Sequence, residues 1–187
     1  VEVTEGFPDI QKADNRITAI GFNDPRTDEY FCYVLDTKEK LNLDIKNNEI
    51  VKSFTDEYDL LNAFFMKYLE IKPTILTGWN VEFFDIPYLY NRACNVVGKN
   101  IADLLSPIRN IMWSDFGNGK YKIAGVSTLD YLQLYKTFTF SQRSSYRLDA
   151  IGEFEVGEKK VEYEGTLNDL YENDLDKFVQ YNLQDVK

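Results

Sequence analysis

Three sets of residues in this sequence carry side chains that could take part in hydrolysis. Glu2 lies at the very start, Asn80 and Asp85 stand five positions apart in an aromatic-rich segment, and Tyr181 and Asp185 are four apart near the end. Carboxylates that converge from distant segments can hold two divalent ions about 4 Å apart, which activate water and stabilise the leaving oxygen in phosphodiester hydrolysis. Metal-dependent hydrolysis is therefore the chemistry that these residue types suggest.

Each set also has a simpler structural explanation. Glu2 could be an ordinary polar residue on a strand, and Asp85 could be the N-cap of a following helix. Tyr181 and Asp185 lie on one face of a helix at this spacing, where they could form a hydrogen bond without any catalytic role. The residues alone leave both explanations open.

The composition excludes several classes of enzyme. The 187 residues include no histidine, which rules out a Ser-His-Asp triad and a histidine-ligated zinc site. Two cysteines, Cys32 and Cys94, lie far apart in apolar stretches and are predicted to be buried thiols. The net charge of −10 argues against a self-sufficient nucleic-acid binder, because phosphate binding depends largely on cations.

Nothing in the sequence indicates a membrane or an exported protein. Runs of about 18 apolar residues are absent, so no membrane span and no membrane partner are predicted. The opening segment VEVTEGFPDI lacks the basic-then-apolar order of a signal peptide. The cytoplasm, of a host cell if the source is viral, is the expected location.

The first half of the chain predicts a sheet covered by helices. Arg16 to Asn23 and Tyr30 to Leu35 read as sequential antiparallel strands. Ser53 with Asp56 resembles a capping box before an apolar helix, and Pro73 to Trp79 reads as a short buried strand. A second helix is predicted from near Pro87 to near Gly98.

The second half predicts a hairpin and two further helices. Ile108 to Ser114 and Lys120 to Ser127 are β-like and flank Gly117-Asn118-Gly119, a strong hairpin signal. Helices follow over Asp130 to Phe138 and from about Asn173 to the end. The order of elements predicts one α/β domain over residues 1–187 with a mixed central sheet.

Several long segments, taken in order, resemble those of one known family. VEVTEGFP, TGWNVEFFDIPYLYNR and DKFVQYNLQDV are similar to three successive exonuclease motifs. VSTLDYLQLYKTFTF and SSYRLDAIGEFEVGEKKVEYEG resemble the stretch between the last two. Together they resemble the exonuclease domain of T-even-type phage family B DNA polymerases, whose acidic signature is called DEDDy. The resemblance extends from end to end of the chain.

This resemblance implies a ribonuclease-H-like exonuclease fold and a proofreading 3′→5′ exonuclease. The implied partners are the single-stranded 3′ end of primer DNA and the remaining domains of a polymerase, and the implied cofactors are two Mg²⁺ or Mn²⁺ ions. By position in the motifs, Glu2 and Asp185 would ligate one ion and Asp85 would support the second. Tyr181 would orient the attacking water.

The resemblance also implies contacts with DNA. Phe7 matches a phenylalanine that stacks on terminal bases, and Asn80 and Phe84 would line the path of the frayed strand. The hairpin around Gly117 to Gly119 resembles one that helps to pass the primer end between sites; a plain surface hairpin is the alternative.

One departure from the family pattern limits this expectation. The first motif of the family begins with an aspartate, which would fall just before Val1. We therefore expect a piece of a longer polymerase, with little nuclease activity in residues 1–187 by themselves. The alternatives are a non-catalytic DNA-binding or scaffolding module that keeps the fold, and a stand-alone exonuclease that acts on RNA.

Overall fold

The main sheet is mixed and lies between two groups of helices. The computed structural model describes residues 1–4, 8–44, 46, 48–115, 119–157 and 161–187. The four strands of the main sheet are β1 (Glu2–Val3), β2 (Ile17–Asp24), β3 (Glu29–Leu35) and β4 (Glu49–Phe54), in that spatial order. β2 is antiparallel to both β1 and β3, and β4 is parallel to β3, which confirms the predicted mixed α/β architecture.

Successive side chains of β2 and β3 point to opposite faces of this sheet, as expected for strands. One face packs against α1 (Glu57–Ile71) and α2 (Asp85–Val96), and the other against α6 (Leu167–Asn173) and α7 (Leu175–Asp185). The first face includes Ile20, Phe31, Tyr33 and Leu35, and the second includes Ala19, Cys32 and Val34. Cys32 is a buried free thiol, as predicted, whereas Cys94 is free but only half-buried.

The start of α1 differs from the prediction. Ser53 belongs to β4, where it pairs with Val34, so it does not form a capping box. Asp56 is the N-cap instead, and its carboxylate accepts a hydrogen bond from the backbone N–H of Tyr58 at 2.7 Å. The strand before the helix was not predicted, because a short strand that pairs in parallel leaves little signal in its own sequence.

A second, two-stranded parallel sheet precedes two helices, since one of its strands leads to α2 and the other to α4 (Tyr131–Phe138). It pairs β5 (Ile75–Gly78) with β8 (Ser127–Asp130). The prediction of a buried strand was wrong for β5, since Ile75 is 54% exposed. The predicted long strand Lys120 to Ser127 is also divided, because the chain turns at Gly125, where φ is 87° and a Cβ would lie 2.6 Å from Pro107.

The predicted hairpin is confirmed in its strands. β6 (Ile111–Ser114) and β7 (Lys120–Ile123) are antiparallel, with Trp113 opposite Tyr121. The turn residues Gly117 and Asn118 lie outside the described residues.

The helical connections complete the fold. The helix predicted from about Asn173 to the end is confirmed as α7, which begins after its N-cap Asp174. The preceding helix α6 was not predicted. Between α2 and the hairpin lie α3 (Lys99–Ala102) and a 3-10 turn (Asp103–Leu105), and α5 (Leu148–Val156) follows α4. Among the described residues, no helix has the length and apolar character needed to cross a membrane.

Candidate active site

Glu2 is placed by the edge of the main sheet. It lies on β1 opposite Ala19 of β2, and the register shifts between Glu2 and Val3. Because β2 is paired on both sides, this edge is anchored in the core of the sheet.

Helix α7 reaches the same region because Gly21 leaves space for it. A Cβ at Gly21 would lie 3.2 Å from Cγ1 of Val186 and 3.3 Å from the carbonyl oxygen of Asn182. Carbon atoms normally pack at about 3.5–4.0 Å, so a side chain here would push the helix outward. The predicted apolar stripe of α7 is buried at Leu175, Phe178, Val179 and Leu183. The helix therefore lies close on β2 and carries Tyr181 and Asp185 to the site.

Tyr181 is held in a largely buried position. Its exposure is 7%, and its ring meets that of Tyr163 edge-on, with 5.6 Å between the centroids. Burial raises the pKa of Tyr181, and the charges of Asp185 and Glu2, with a hydrogen bond to Asp185, raise it further. The phenol therefore keeps its proton at neutral pH and acts as a hydrogen-bond donor.

Asp85 does not have the simple structural role that local reasoning allowed. It is the first residue of α2 rather than the N-cap; Phe84 takes the cap position and makes no side-chain cap bond. The carboxylate of Asp85 instead accepts a hydrogen bond from the amino group of Val1, with 2.6 Å between Oδ1 and the nitrogen. This contact joins the start of α2 to β1, beside Glu2.

Three of the predicted carboxylates lie near one another. The charges of Glu2 and Asp185 raise the pKa of Tyr181, and Asp85 lies beside Val1, the neighbour of Glu2. The structure thus brings together residues from the first strand, the second helix and the last helix. Within the described ranges no group of three or more Asp, Glu, Cys or His side chains is placed so that it could hold a metal ion. The atoms of Glu2, Asp85 and Asp185 that could bind a metal ion are carboxylate oxygens, the ligand type that Mg²⁺ and Mn²⁺ prefer.

Backbone hydrogen bonds within the segment between β5 and α2 determine its conformation. Asn80 has a positive φ of 62°, and its carbonyl oxygen accepts hydrogen bonds from the N–H groups of Phe83 and Phe84 at 3.2 Å. Glu82 forms an ion pair with Lys120 on β7 at 2.6 Å. The loop that leads to Asp85 is therefore linked to the hairpin.

Asp130 is a residue whose role the sequence interpretation missed. It was predicted only to begin a helix, and it is indeed the N-cap of α4, accepting from the N–H groups of Leu132 and Gln133. The same carboxylate also accepts from the N–H groups of Asn80 and Glu82, each at 3.1 Å. An Asp at the end of a strand gives no sequence signal for this second set of bonds.

Two cavities flank the segment containing Asn80. The first, of about 690 Å³, is lined among others by Trp79, Tyr146, Arg147, Tyr163 and Tyr181. The second, of about 620 Å³, lies against the hairpin and is lined among others by Gln11, Phe83, Trp113, Gln133 and Lys136. Asn80 and Leu132 border both cavities and form the ridge between them.

The residues predicted to contact DNA fall in different places. Asn80 lies on the ridge, where it borders both cavities. Phe84 packs against the core and stacks on Tyr88, with 5.7 Å between the ring centroids, whereas its neighbour Phe83 lines the second cavity. Phe7 lies outside the described residues.

Comparison with known proteins identifies the group to which this arrangement belongs. The family model described as the exonuclease domain of family B DNA polymerases matches residues 1–151. The chain belongs to this family. The match includes β1, the Asn80–Asp85 segment and α4, and it ends in α5, before the helix that carries Tyr181 and Asp185.

Individual relatives extend the similarity over the rest of the chain. The DNA-directed DNA polymerase of Escherichia phage RB69 is 34% identical over 100% of this chain, and that of Enterobacteria phage T4 is 32% identical over the same share. DNA polymerase 1 of Sulfurisphaera ohwakuensis is 32% identical over 97% of the chain. The chain spans 24% of the length of each phage relative and 20% of the archaeal one.

Proposed function

We propose that this chain is a proofreading 3′→5′ exonuclease unit that works within a longer DNA polymerase. Its substrate would be the single-stranded 3′ end of primer DNA, from which it would hydrolyse terminal nucleotides. The ribonuclease-H-like fold and the assignment of residues 1–187 to one such unit belong to the same proposal.

The convergence of distant carboxylates is the observation that carries this proposal. Oδ1 of Asp85 lies 2.6 Å from the nitrogen of Val1, next to Glu2, and the charges of Glu2 and Asp185 both act on Tyr181, although the three carboxylates belong to elements far apart in sequence. Concentrated negative charge of this kind is unfavourable without a cation, and it suits a site that binds metal ions. Since Asp85 is not used as an N-cap, its local structural role does not account for its position.

Two divalent ions, Mg²⁺ or Mn²⁺, are the proposed cofactors. Glu2, Asp85 and Asp185 would hold them, and the ions would supply Lewis acidity and a water of lowered pKa. Tyr181, whose pKa is raised by burial and by Asp185, would donate a hydrogen bond that orients this water. The phenol would not act as the base, because it retains its proton in the pH range where such enzymes work.

The first cavity suits a terminal nucleotide. It combines the rings of Trp79, Tyr146 and Tyr163 with Arg147 and with the phenol of Tyr181. Aromatic rings stack on any base, and a guanidinium attracts phosphate, so this lining would accept a 3′ end without selecting its sequence. Asn80 would contact the strand as it enters.

The test is degradation of a 5′-labelled single-stranded oligonucleotide by the full-length protein in Mg²⁺. Asp85→Asn and Asp185→Asn should each lower the rate at least about 100-fold, because each removes a charge that the ions require. Asp59→Asn is the matched control, since Asp59 is an exposed carboxylate in the first turn of α1. Nuclease activity that survives both site substitutions would contradict the proposal.

Metal binding distinguishes the enzyme from a non-catalytic DNA-binding module. We expect calorimetric titration of the full-length protein with Mn²⁺ to show binding that Asp85→Asn weakens and Asp59→Asn does not. DNA binding without this metal binding and without hydrolysis would favour the module.

A further inference from the structure

We propose that Asp130 is a positioning residue that holds the ridge between the two cavities and thereby fixes which phosphodiester bond is cleaved. This inference rests on the proposed nuclease function. It concerns a residue outside the proposed metal ligands, whose carboxylate accepts hydrogen bonds from backbone N–H groups.

The ridge is built around one buried carboxylate. Asp130 is 6% exposed, and its Oδ1 accepts hydrogen bonds from the N–H groups of Asn80 at 3.1 Å and Leu132 at 2.9 Å. These are the two residues that border both cavities. The ridge therefore consists of two separate segments that a single side chain joins.

The second carboxylate oxygen extends this control towards Asp85. Oδ2 of Asp130 accepts from the N–H of Glu82 at 3.1 Å, in the middle of the segment that ends at α2. That segment closes on itself through the bond from the N–H of Ile86 to the carbonyl of Val81 at 3.0 Å. A movement of Glu82 would thus be passed to the first turn of α2, where Asp85 lies.

Helix capping alone does not explain this arrangement. An N-cap needs bonds only to the first turn of its own helix, which here are those to Leu132 and Gln133. The bonds to Asn80 and Glu82 join a different element, 50 and 48 residues away in sequence. They hold the loop in a conformation in which Asn80 has a positive φ, which is uncommon for a residue other than glycine.

The two functions of Asp130 can be separated by substitution. In Asp130→Asn, the amide oxygen can keep the bonds to Leu132 and Asn80, and asparagine caps helices about as well as aspartate. Its NH₂ group would then face the N–H of Glu82, so that a donor meets a donor. Asp130→Ser is the second variant, because the short hydroxyl can cap α4 but cannot reach across to the loop.

The experiment measures hydrolysis by the full-length protein of a single strand labelled in its 3′-terminal nucleotide, with the lengths of the released products resolved. We expect both Asp130 variants to lower kcat about 10-fold, since a displacement of 1 Å can cost about 100-fold. The KM should change less than about threefold, and dinucleotide products should appear beside mononucleotides as the strand loses its register. Asp56→Asn is the matched control, because Asp56 caps α1 and its cap bond to Tyr58 lies within that helix.

The outcomes separate the inference from the function on which it rests. If the wild-type protein is active and both Asp130 variants behave like the Asp56→Asn control, the inference is overturned and the proposed function stands. Loss of activity together with loss of amide protection in α4 would also overturn it, because the effect would then be unfolding. A wild-type protein without nuclease activity would overturn both.

Discussion

Gly21 is the position at which a single methyl group should reveal how closely the site depends on helix packing. Gly21→Ala adds a Cβ that would lie 3.2 Å from Cγ1 of Val186 and 3.3 Å from the carbonyl oxygen of Asn182. Restoring an ordinary contact of about 3.6–3.8 Å requires α7 to move outward by roughly 0.5 Å. Tyr181 and Asp185 would move with it, away from Glu2.

The size of the effect follows from two opposing contributions. Overpacking costs about 1–3 kcal/mol, whereas replacing glycine by alanine within a strand recovers about 0.5–1 kcal/mol. The net cost should be about 1 kcal/mol, equivalent to roughly fivefold faster opening of α7. A displacement of half an ångström should lower kcat about 10-fold, since 1 Å can cost about 100-fold.

Two measurements on the full-length protein check this prediction. Hydrogen exchange should show faster exchange of α7 amides with unchanged protection in α1, and the exonuclease assay should show the lower kcat. The double variant Gly21→Ala with Val186→Ala removes the nearest contact and should recover part of the activity, with Val186→Ala alone as its control. A Gly21→Ala protein with wild-type kcat would refute the argument that α7 must approach β2 this closely.

Three further predictions follow from the electrostatics. Because burial and Asp185 raise the pKa of Tyr181, Tyr181→Phe should lower kcat without changing the shape of the pH–rate profile up to about pH 9.5. A decline in the wild-type rate at alkaline pH that disappears in the variant would contradict this. Burial raises the pKa of Cys32 to about 12, so iodoacetamide at about pH 8 should label it only after denaturation, as mass spectrometry would show. Arg92→Met should destabilise the packing of α2 on α1 by about 3 kcal/mol, because it leaves the buried Glu57 without its ion-pair partner 2.7 Å away. Hydrogen-exchange protection in both helices equal to that of the wild type would contradict this.

Local patterns predicted the elements that depend on local sequence. The alternation in β2 and β3, the apolar stripe of α7 and the Gly-Asn-Gly hairpin signal all correspond to observed elements. β4 and β8 were not predicted, since both pair in parallel with strands that lie elsewhere in the sequence. Parallel pairing leaves little signal in a four- to six-residue segment.

The candidate site was predictable as a set of residues but not as an arrangement. Spacing and resemblance selected Glu2, Asp85, Tyr181 and Asp185, and the structure brings them together. The local sequence around Asp85 suited an N-cap equally well, and only the position of α2 relative to β1 decides between the two roles. The role of Asp130 was overlooked because the sequence correctly predicted that it begins α4. Its additional hydrogen bonds, from Asn80 and Glu82, depend on how β5 pairs with β8.

The packing of α7 on β2 has a consequence for synthesis of the protein. Glu2 leaves the ribosome well before Asp185, so the acidic cluster cannot form until α7 has emerged. Contacts between such distant segments form slowly, because a large loop must close before they can stabilise anything. A nascent chain arrested before α7 should therefore be unable to cut nucleic acid, and the order of translation itself would keep the nuclease inactive until the fold is complete.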